Sequence, residues 1–258
     1  MIKKYKNILK ILILILLPVF LLAQEEKPEV GIQEHLGEYL PMDLTFQDVN
    51  GKTVRFGDLV DKPVLLTFVY YGCPGICNPL LAEVVDIVNH IELEPGEDFK
   101  LITLSFNHRE DSAKARTWAN RHLGLIKRKF DEHDWEFLTG DSLSIDKMTD
   151  AAGFYFKEEG VDFIHAGTIM AISPEGKISR YLIGTSFNKF DVQMALIDAK
   201  SGKTNPTIAK LLQFCYSYDP DGRAYTLNIT RIVGTVMLAF VGLFFAVLVV
   251  AKKKKKGE

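Results

Sequence analysis

The chain has 258 residues, 47% of them hydrophobic, and a formal net charge of -2. That composition supplies one full core plus membrane segments and fits one folded domain better than two. Acidic and basic side chains are mixed through the middle of the chain, which excludes a nucleic-acid partner there, and basic runs stand only at the two ends.

At the N-terminus Lys3, Lys4, Lys6 and Lys10 precede an apolar run over residues 11–23, and the polar Gln24-Glu25-Glu26-Lys27 follows. A charged start and an apolar stretch too short for a comfortable span read as an export signal over residues 1–24. Leu21 and Ala23 do not form a clean small-x-small cleavage pair, so an uncleaved N-terminal anchor is the alternative.

Residues 38–200 alternate strand and helix patterns without a linker or repeat. Asp48-Val49-Asn50-Gly51-Lys52 reads as a hairpin turn within residues 43–54. Residues 63–71 form an apolar, β-branched and aromatic run that predicts a buried central strand. Cys73 and Cys77 follow it directly, where the strand should turn into a helix over residues 79–91 with Leu80, Leu81, Val84, Val85, Ile87 and Val88 on its apolar face. Two cysteines four apart lie on the same side of a helical turn, so their sulfurs can either join or hold one soft ion. A second apolar strand is expected over residues 99–106. Residues 111–123 then read as a helix capped by Ser112, 135–139 as a strand and 144–152 as a helix. A strand over 164–173 is turned by Pro174-Glu175-Gly176-Lys177 into a partner over 178–183, and residues 191–199 close as a helix. The order is that of an α/β, thioredoxin-like fold with an N-terminal hairpin. Its signature position is a thiol at a helix N-terminus, where unpaired N–H groups stabilise a thiolate.

Residues 201–231 differ in character. Phe214-Cys215-Tyr216-Ser217-Tyr218, the turn Asp219-Pro220-Asp221-Gly222 and Tyr225-Thr226-Leu227 predict an extra hairpin. Residues 232–251 are then continuously apolar or small, the length that a hydrocarbon core of about 30 Å requires. Lys252 to Lys256 stop that run in a basic tail over residues 252–258. By the positive-inside rule the tail lies in the cytoplasm and the domain on the extracytoplasmic, periplasmic side of the cell membrane. Outside the cytoplasm a thiol pair is a structural disulfide, a redox couple or a metal site. The chain has three cysteines, which leaves Cys215 odd.

Thiolates prefer Cu(I) and imidazole accepts either oxidation state, so two sulfurs and one histidine can hold copper in both. Six histidines are available. His35, His90, His122 and His133 read as surface residues, and His108 follows a strand at the same sheet end as the thiols. His165 stands apart because it leads into the strand that packs beside the thiols in a thioredoxin-like fold.

Gly72-Cys73-Pro74-Gly75-Ile76-Cys77, the helix from Pro79, and His165 with Ser173-Pro174-Glu175-Gly176 behind it resemble the Sco/SenC family of copper-binding assembly factors for cytochrome c oxidase. The resemblance covers residues 38–200. It implies a copper ion, Cu(I) or Cu(II), on Cys73, Cys77 and His165. It also implies a copper-donor chaperone and the copper-binding subunit of cytochrome c oxidase as partners, and transfer by ligand exchange rather than enzymatic turnover. Many family members carry an acidic residue between the cysteines, Pro after the second and Asp before the histidine. This chain has Gly75, Ile76, Asn78 and Ile164 at those places, which implies altered tuning of the metal. An extracytoplasmic thiol-disulfide reductase using Cys73 and Cys77 as its redox pair is the alternative function. Cys215 is either a small buried residue or an additional ligand or resolving thiol.

Overall fold

A strand buried on both faces and paired on both edges fixes the rest of the molecule. In the computed structural model, which describes residues 28–204 together with 216–219, 224–227 and the helical positions 233, 234, 237 and 241, that strand is β4 (Val64–Val69), and all six of its side chains are buried. Its run of Val, Leu, Leu, Thr, Phe and Val lacks polar alternation, as a parallel strand covered by helices requires.

The elements before β4 are β1 (Gly31–Ile32), β2 (Thr45–Gln47), β3 (Thr53–Arg55) and the short helix α1 (Phe56–Leu59). After it come α2 (Cys77–His90), β5 (Lys100–Ser105), α3 (Ser112–Leu123), a 3-10 turn at Glu132–Asp134, β6 (Trp135–Leu138) and α4 (Ser142–Ala151). Then follow β7 (Phe154–Tyr155), β8 (Lys157–Glu159), β9 (Asp162–Ile164), β10 (Thr168–Ile172), β11 (Ile178–Ile183) and α5 (Lys189–Lys200). The main sheet has the order β11-β10-β4-β5-β6. Strands β4, β5 and β6 run parallel, and β10 and β11 are antiparallel to their neighbours. Helix α3 packs on β6, α5 packs on β10 and β11, and α2 touches both helices. This is the mixed α/β, thioredoxin-like arrangement that the sequence predicts.

Local chemistry sets the element ends. Asp111, not Ser112, caps α3, its carboxylate accepting from Lys114 N–H at 3.0 Å; an ionised acceptor fits a helix N-terminus better than a hydroxyl. Asp141 and Asn188 do the same for α4 and α5. Helix α2 starts two residues before Pro79, so Pro79 falls in the first turn, where its missing N–H leaves no bond unmade. The expected turn at 48–52 forms, with the Asp48 carboxylate accepting from the N–H groups of Asn50 and Lys52 at 2.8 and 2.9 Å.

Three further features differ from the sequence reading. The strand expected over 164–173 starts only at Thr168, as β10, and Ile164 instead ends β9, which pairs with β8 in a hairpin that the sequence reading did not include. A side chain at Gly167 would stand 2.7 Å from the Gly184 carbonyl oxygen, and that close backbone approach fixes the entry to β10. Strand β1 pairs with β7, so the folded unit begins upstream of residue 38. That pairing needs Gly153, which has φ 58° and leaves no room for a side chain against the Gln33 carbonyl. Finally, His122 is buried among Trp118, Trp135 and Phe137. Its Nδ1 lies 2.8 Å from the Trp118 carbonyl oxygen.

Strands β12 (Tyr216–Asp219) and β13 (Ala224–Leu227) pair antiparallel, as the extra hairpin requires. Among the described residues no helix is long and apolar enough to cross a membrane. The signal at 1–24, Cys215, the basic tail and all but four positions of the apolar run at 232–251 lie outside the described residues.

The central position of Leu66, fully buried in β4, gives a direct test of this core. Leu66→Ala should cost about 2–5 kcal/mol, a transfer loss plus a cavity. Urea unfolding followed by circular dichroism would measure it; a loss under about 1 kcal/mol is what a peripheral side chain would give.

Candidate metal centre

Cys73 stands in the turn after β4, and Cys77 is the first residue of α2. The turn closes with Cys73 N–H donating to the Tyr70 carbonyl at 3.1 Å, and Gly75 N–H donates to the Cys73 sulfur at 3.3 Å. His165 lies between β9 and β10, opposite that turn. The two sulfurs and one imidazole nitrogen all lie within 4.8 Å of one another, and Cys77 Sγ is 3.6 Å from His165 Nε2. All three residues are buried, and both cysteines are free thiols.

The imidazole is oriented on every side. Its Nδ1 is 3.1 Å from the Ala166 carbonyl oxygen, which can only accept, so the ring proton belongs on Nδ1 and the Nε2 lone pair faces the sulfurs. Tyr70, Phe106 and Phe154 pack their rings around it, with centroids 5.7, 5.0 and 6.2 Å from the imidazole. The Tyr70 hydroxyl donates to Asp162 Oδ1 at 3.4 Å, joining the thiol side to the β8–β9 hairpin.

The thiols are electrostatically unequal. The proton of the neighbouring Cys77 thiol holds Cys73 well below the usual thiol range despite burial, and the Cys77 and Gly75 amides add to the effect. Burial pushes Cys77 up, and the negative Cys73 sulfur keeps the proton on it. Tyr70 is likewise raised, by burial and then by the charge on Cys73. The proton of the pair therefore rests on Cys77, and Cys73 carries the charge. Two thiolates and an imidazole form a soft donor set suited to Cu(I), so the residues fit the metal that the sequence implies.

A cleft of about 210 Å³ opens on this group, lined by Tyr70, Cys73, Pro74, Ile76, Asp162 and His165 among others. Cys73 lines the cleft, and Cys77, which does not, lies behind it with no exposed surface. His108 is exposed in the β5–α3 loop and is not part of the group. His35 and His90 bond to the carbonyls of Ala151 and Asp86 instead.

The sequence reading missed the groups that hold the ligands. Glu110, after β5, accepts from the N–H groups of Tyr71 and Gly72, both at 2.6 Å, and from the Ser105 hydroxyl at 2.7 Å. The only signal for it was a carboxylate two residues past His108 at the thiol end of the sheet. Asp111 beside it carries the same charge, and spacing alone does not tell which one turns inward.

Residues 33–196 match the SCO1/SenC family model. The SCO1 protein homolog of Bacillus subtilis is 30% identical over 164 residues, covering 62% of this chain and 81% of that protein. A crystal structure from Aquifex aeolicus, described as a candidate electron transfer protein, superposes with a TM-score of 0.59 at 28% identity over 64% of this chain and 95% of that one. The ScoI protein of Arabidopsis thaliana, solved with copper bound, shares the fold with a TM-score of 0.50 at 17% identity, covering 60% of this chain and 94% of that one.

The inequality of the thiols is measurable. Iodoacetamide should modify Cys73 before Cys77 and still do so near pH 5, where an ordinary thiol of pKa about 8.5 is almost wholly protonated. A lowered pKa keeps Cys73 ionised, so its rate should fall only as the pH drops through that lowered value. Peptide mapping that found equal labelling, or a rate that declined below pH 8, would contradict the assignment.

Proposed function

The chain belongs to the SCO1/SenC family, and on that premise we propose that it is a membrane-anchored copper metallochaperone that serves the copper centre of cytochrome c oxidase. The observation that carries this reading is the convergence of Cys73, Cys77 and His165 on one buried point. Copper is the cargo: Cu(I) takes the place of the Cys77 proton among the three donors. Transfer proceeds by ligand exchange, in which a thiolate or imidazole of the oxidase subunit enters through the cleft and displaces one ligand at a time. Cys73 at the opening is the first to be replaced, and Cys77 at the back is the last. A copper-donor chaperone loads the site by the reverse sequence. No bond of a substrate is made or broken.

The apolar run at 232–251 anchors the chain, and the lysines behind it hold the tail in the cytoplasm. The domain then works on the extracytoplasmic side, where the exported N-terminal signal delivers it.

A second reading is favoured by the low proton affinity of Cys73 at the cleft mouth. In it the Cys73 thiolate attacks a disulfide of a copper protein and forms a mixed disulfide, releasing one thiolate. Cys77, deprotonated, then attacks the Cys73 sulfur and releases the second. Cys73 and Cys77 end as a disulfide and the partner gains two electrons. The copper reading ranks first because it also uses His165.

Reduced protein should bind one copper per chain. Cys73→Ser or Cys77→Ser should each abolish tight binding, and His165→Ala should weaken it and mostly destabilise Cu(II). Elemental analysis after desalting is the measurement, and equal copper retention in the double cysteine variant would move the weight to the reductase.

Topology has its own test. A reporter that works only in the cytoplasm should be active when fused after Glu258 and silent when fused at Ser201. In the same membranes, mild oxidation and peptide mapping would show whether Cys215 links to Cys73 or Cys77. A reversed reporter pattern would overturn the proposed location, and a Cys215 that resists alkylation and whose Ser variant binds copper unchanged is a packing residue.

A further inference from the structure

The loop between β5 and α3 touches both halves of the metal centre through two consecutive residues. Glu110 has a fully buried side chain, and each carboxylate oxygen takes one amide of the thiol turn: Oε2 accepts from Tyr71 N–H and Oε1 from Gly72 N–H. The Ser105 hydroxyl adds a third donor, and Lys114 Nζ approaches to 3.5 Å from the solvent side. Gly72 gives the carboxylate room, since a side chain there would stand 3.2 Å from Oε1. Arg109 reaches the opposite way. Its guanidinium lies 5.3 Å from the Phe163 ring centroid and 3.5 Å from Glu158, both on the hairpin that leads to His165. Asn107 Oδ1 steadies it by accepting from its backbone N–H and Nε–H at 3.1 and 3.3 Å.

Tyr71 and Gly72 have left the sheet ladder of β4, so their amides need another acceptor. Hydrogen bonds from N–H to an ionised carboxylate are roughly twice as strong as neutral ones. The two bonds fix the direction of the backbone one residue before Cys73. A carboxylate suits this task because it has only acceptors. A glutamine would turn an NH2 group against one of the amides, and an aspartate is one methylene too short to reach both.

We propose that Glu110 is a positioning residue of the metal centre: by clamping the Tyr71 and Gly72 amides it sets where Cys73 stands relative to Cys77 and His165. Arg109, next to it, registers the His165 hairpin against the same loop. The inference rests on the copper reading above, and it extends the site to a residue that touches neither metal nor partner.

The test uses the full chain, reduced, in detergent micelles. Cu(I) affinity is measured by competition with bicinchoninate, the Cu(II) form by its visible spectrum, and folding by circular dichroism. Glu110→Gln should fold, lose roughly 10- to 100-fold in Cu(I) affinity, as changes beside a metal's ligands do, and shift the Cu(II) bands. Glu110→Asp should behave the same way because it keeps the charge and loses the reach. Ser105→Ala, which removes one anchor of the carboxylate, should give a smaller change of the same sign. A folded Glu110→Gln chain with unchanged affinity and spectrum overturns the proposal. So does a Glu110→Asp chain that matches wild type, which would assign the effect to charge alone. Failure of both glutamate variants to fold would make Glu110 a stability determinant only and overturn it equally. If wild type binds no copper, the function proposed above fails instead. The iodoacetamide ratio of Cys73 to Cys77 then still tests the clamp in Glu110→Asp, which keeps the charge: a changed ratio supports it, and an unchanged one rejects it.

Discussion

Everything in this molecule depends on the immobility of β4. Its side chains are buried on both faces, and its backbone is paired with β5 on one edge and β10 on the other. A strand held in that way ends at a defined point in space. The chain must then leave the sheet and start α2 within a few residues, and the two cysteines bracket that departure. Their separation is therefore set by the geometry of one turn. The neighbouring strand β10, entered just after His165, brings the third donor to the same end of the sheet.

Burial makes the site demanding. Two sulfurs and an imidazole enclosed by Tyr70, Phe106 and Phe154 are poorly solvated, so placing charge on both thiols is costly without a cation. Without one, the group settles on a single negative sulfur at the cleft mouth and a protonated one at the back. The same asymmetry suits either stepwise delivery of a soft cation or nucleophilic attack on a disulfide, which is why the two functional readings share one set of residues.

Much of the fold was legible because the local signals were strong. The apolar run at 64–69, the Asp48–Lys52 turn and the helical spacing of α2 each follow from short-range sterics and burial. The pair Cys73 and Cys77 was legible for the same reason, as it lies within one turn. His165 was singled out because its strand has a known place beside the thiols in this class of fold. By contrast, the β8–β9 hairpin was missed, and the strand after it was begun at Ile164 rather than Thr168, since the β-forming character of Ile164 does not show that the close approach at Gly167 delays the entry to β10. The β1–β7 pair was missed because two-residue strands carry no periodicity. His122 was read as a surface residue from its charged neighbours, yet its ring faces inward from α3 onto Trp135 and Phe137.

The sequence by itself determined which chemistry is available: two thiols at a strand-to-helix turn, a histidine before a later strand, and apolar and basic runs at the ends. Those are properties of residue type and short spacing, and they survive any folding detail. Tertiary structure alone decided that Cys77 and His165, 88 positions apart, face each other across a few ångströms, and that Cys73 rather than Cys77 looks into the cleft. It also decided that Glu110 turns inward to the Tyr71 and Gly72 amides while Asp111 turns out to cap α3. The physical reason is that side-chain direction at a loop depends on which unpaired donors the rest of the fold leaves within reach, and the donors that Glu110 meets belong to a turn distant in sequence.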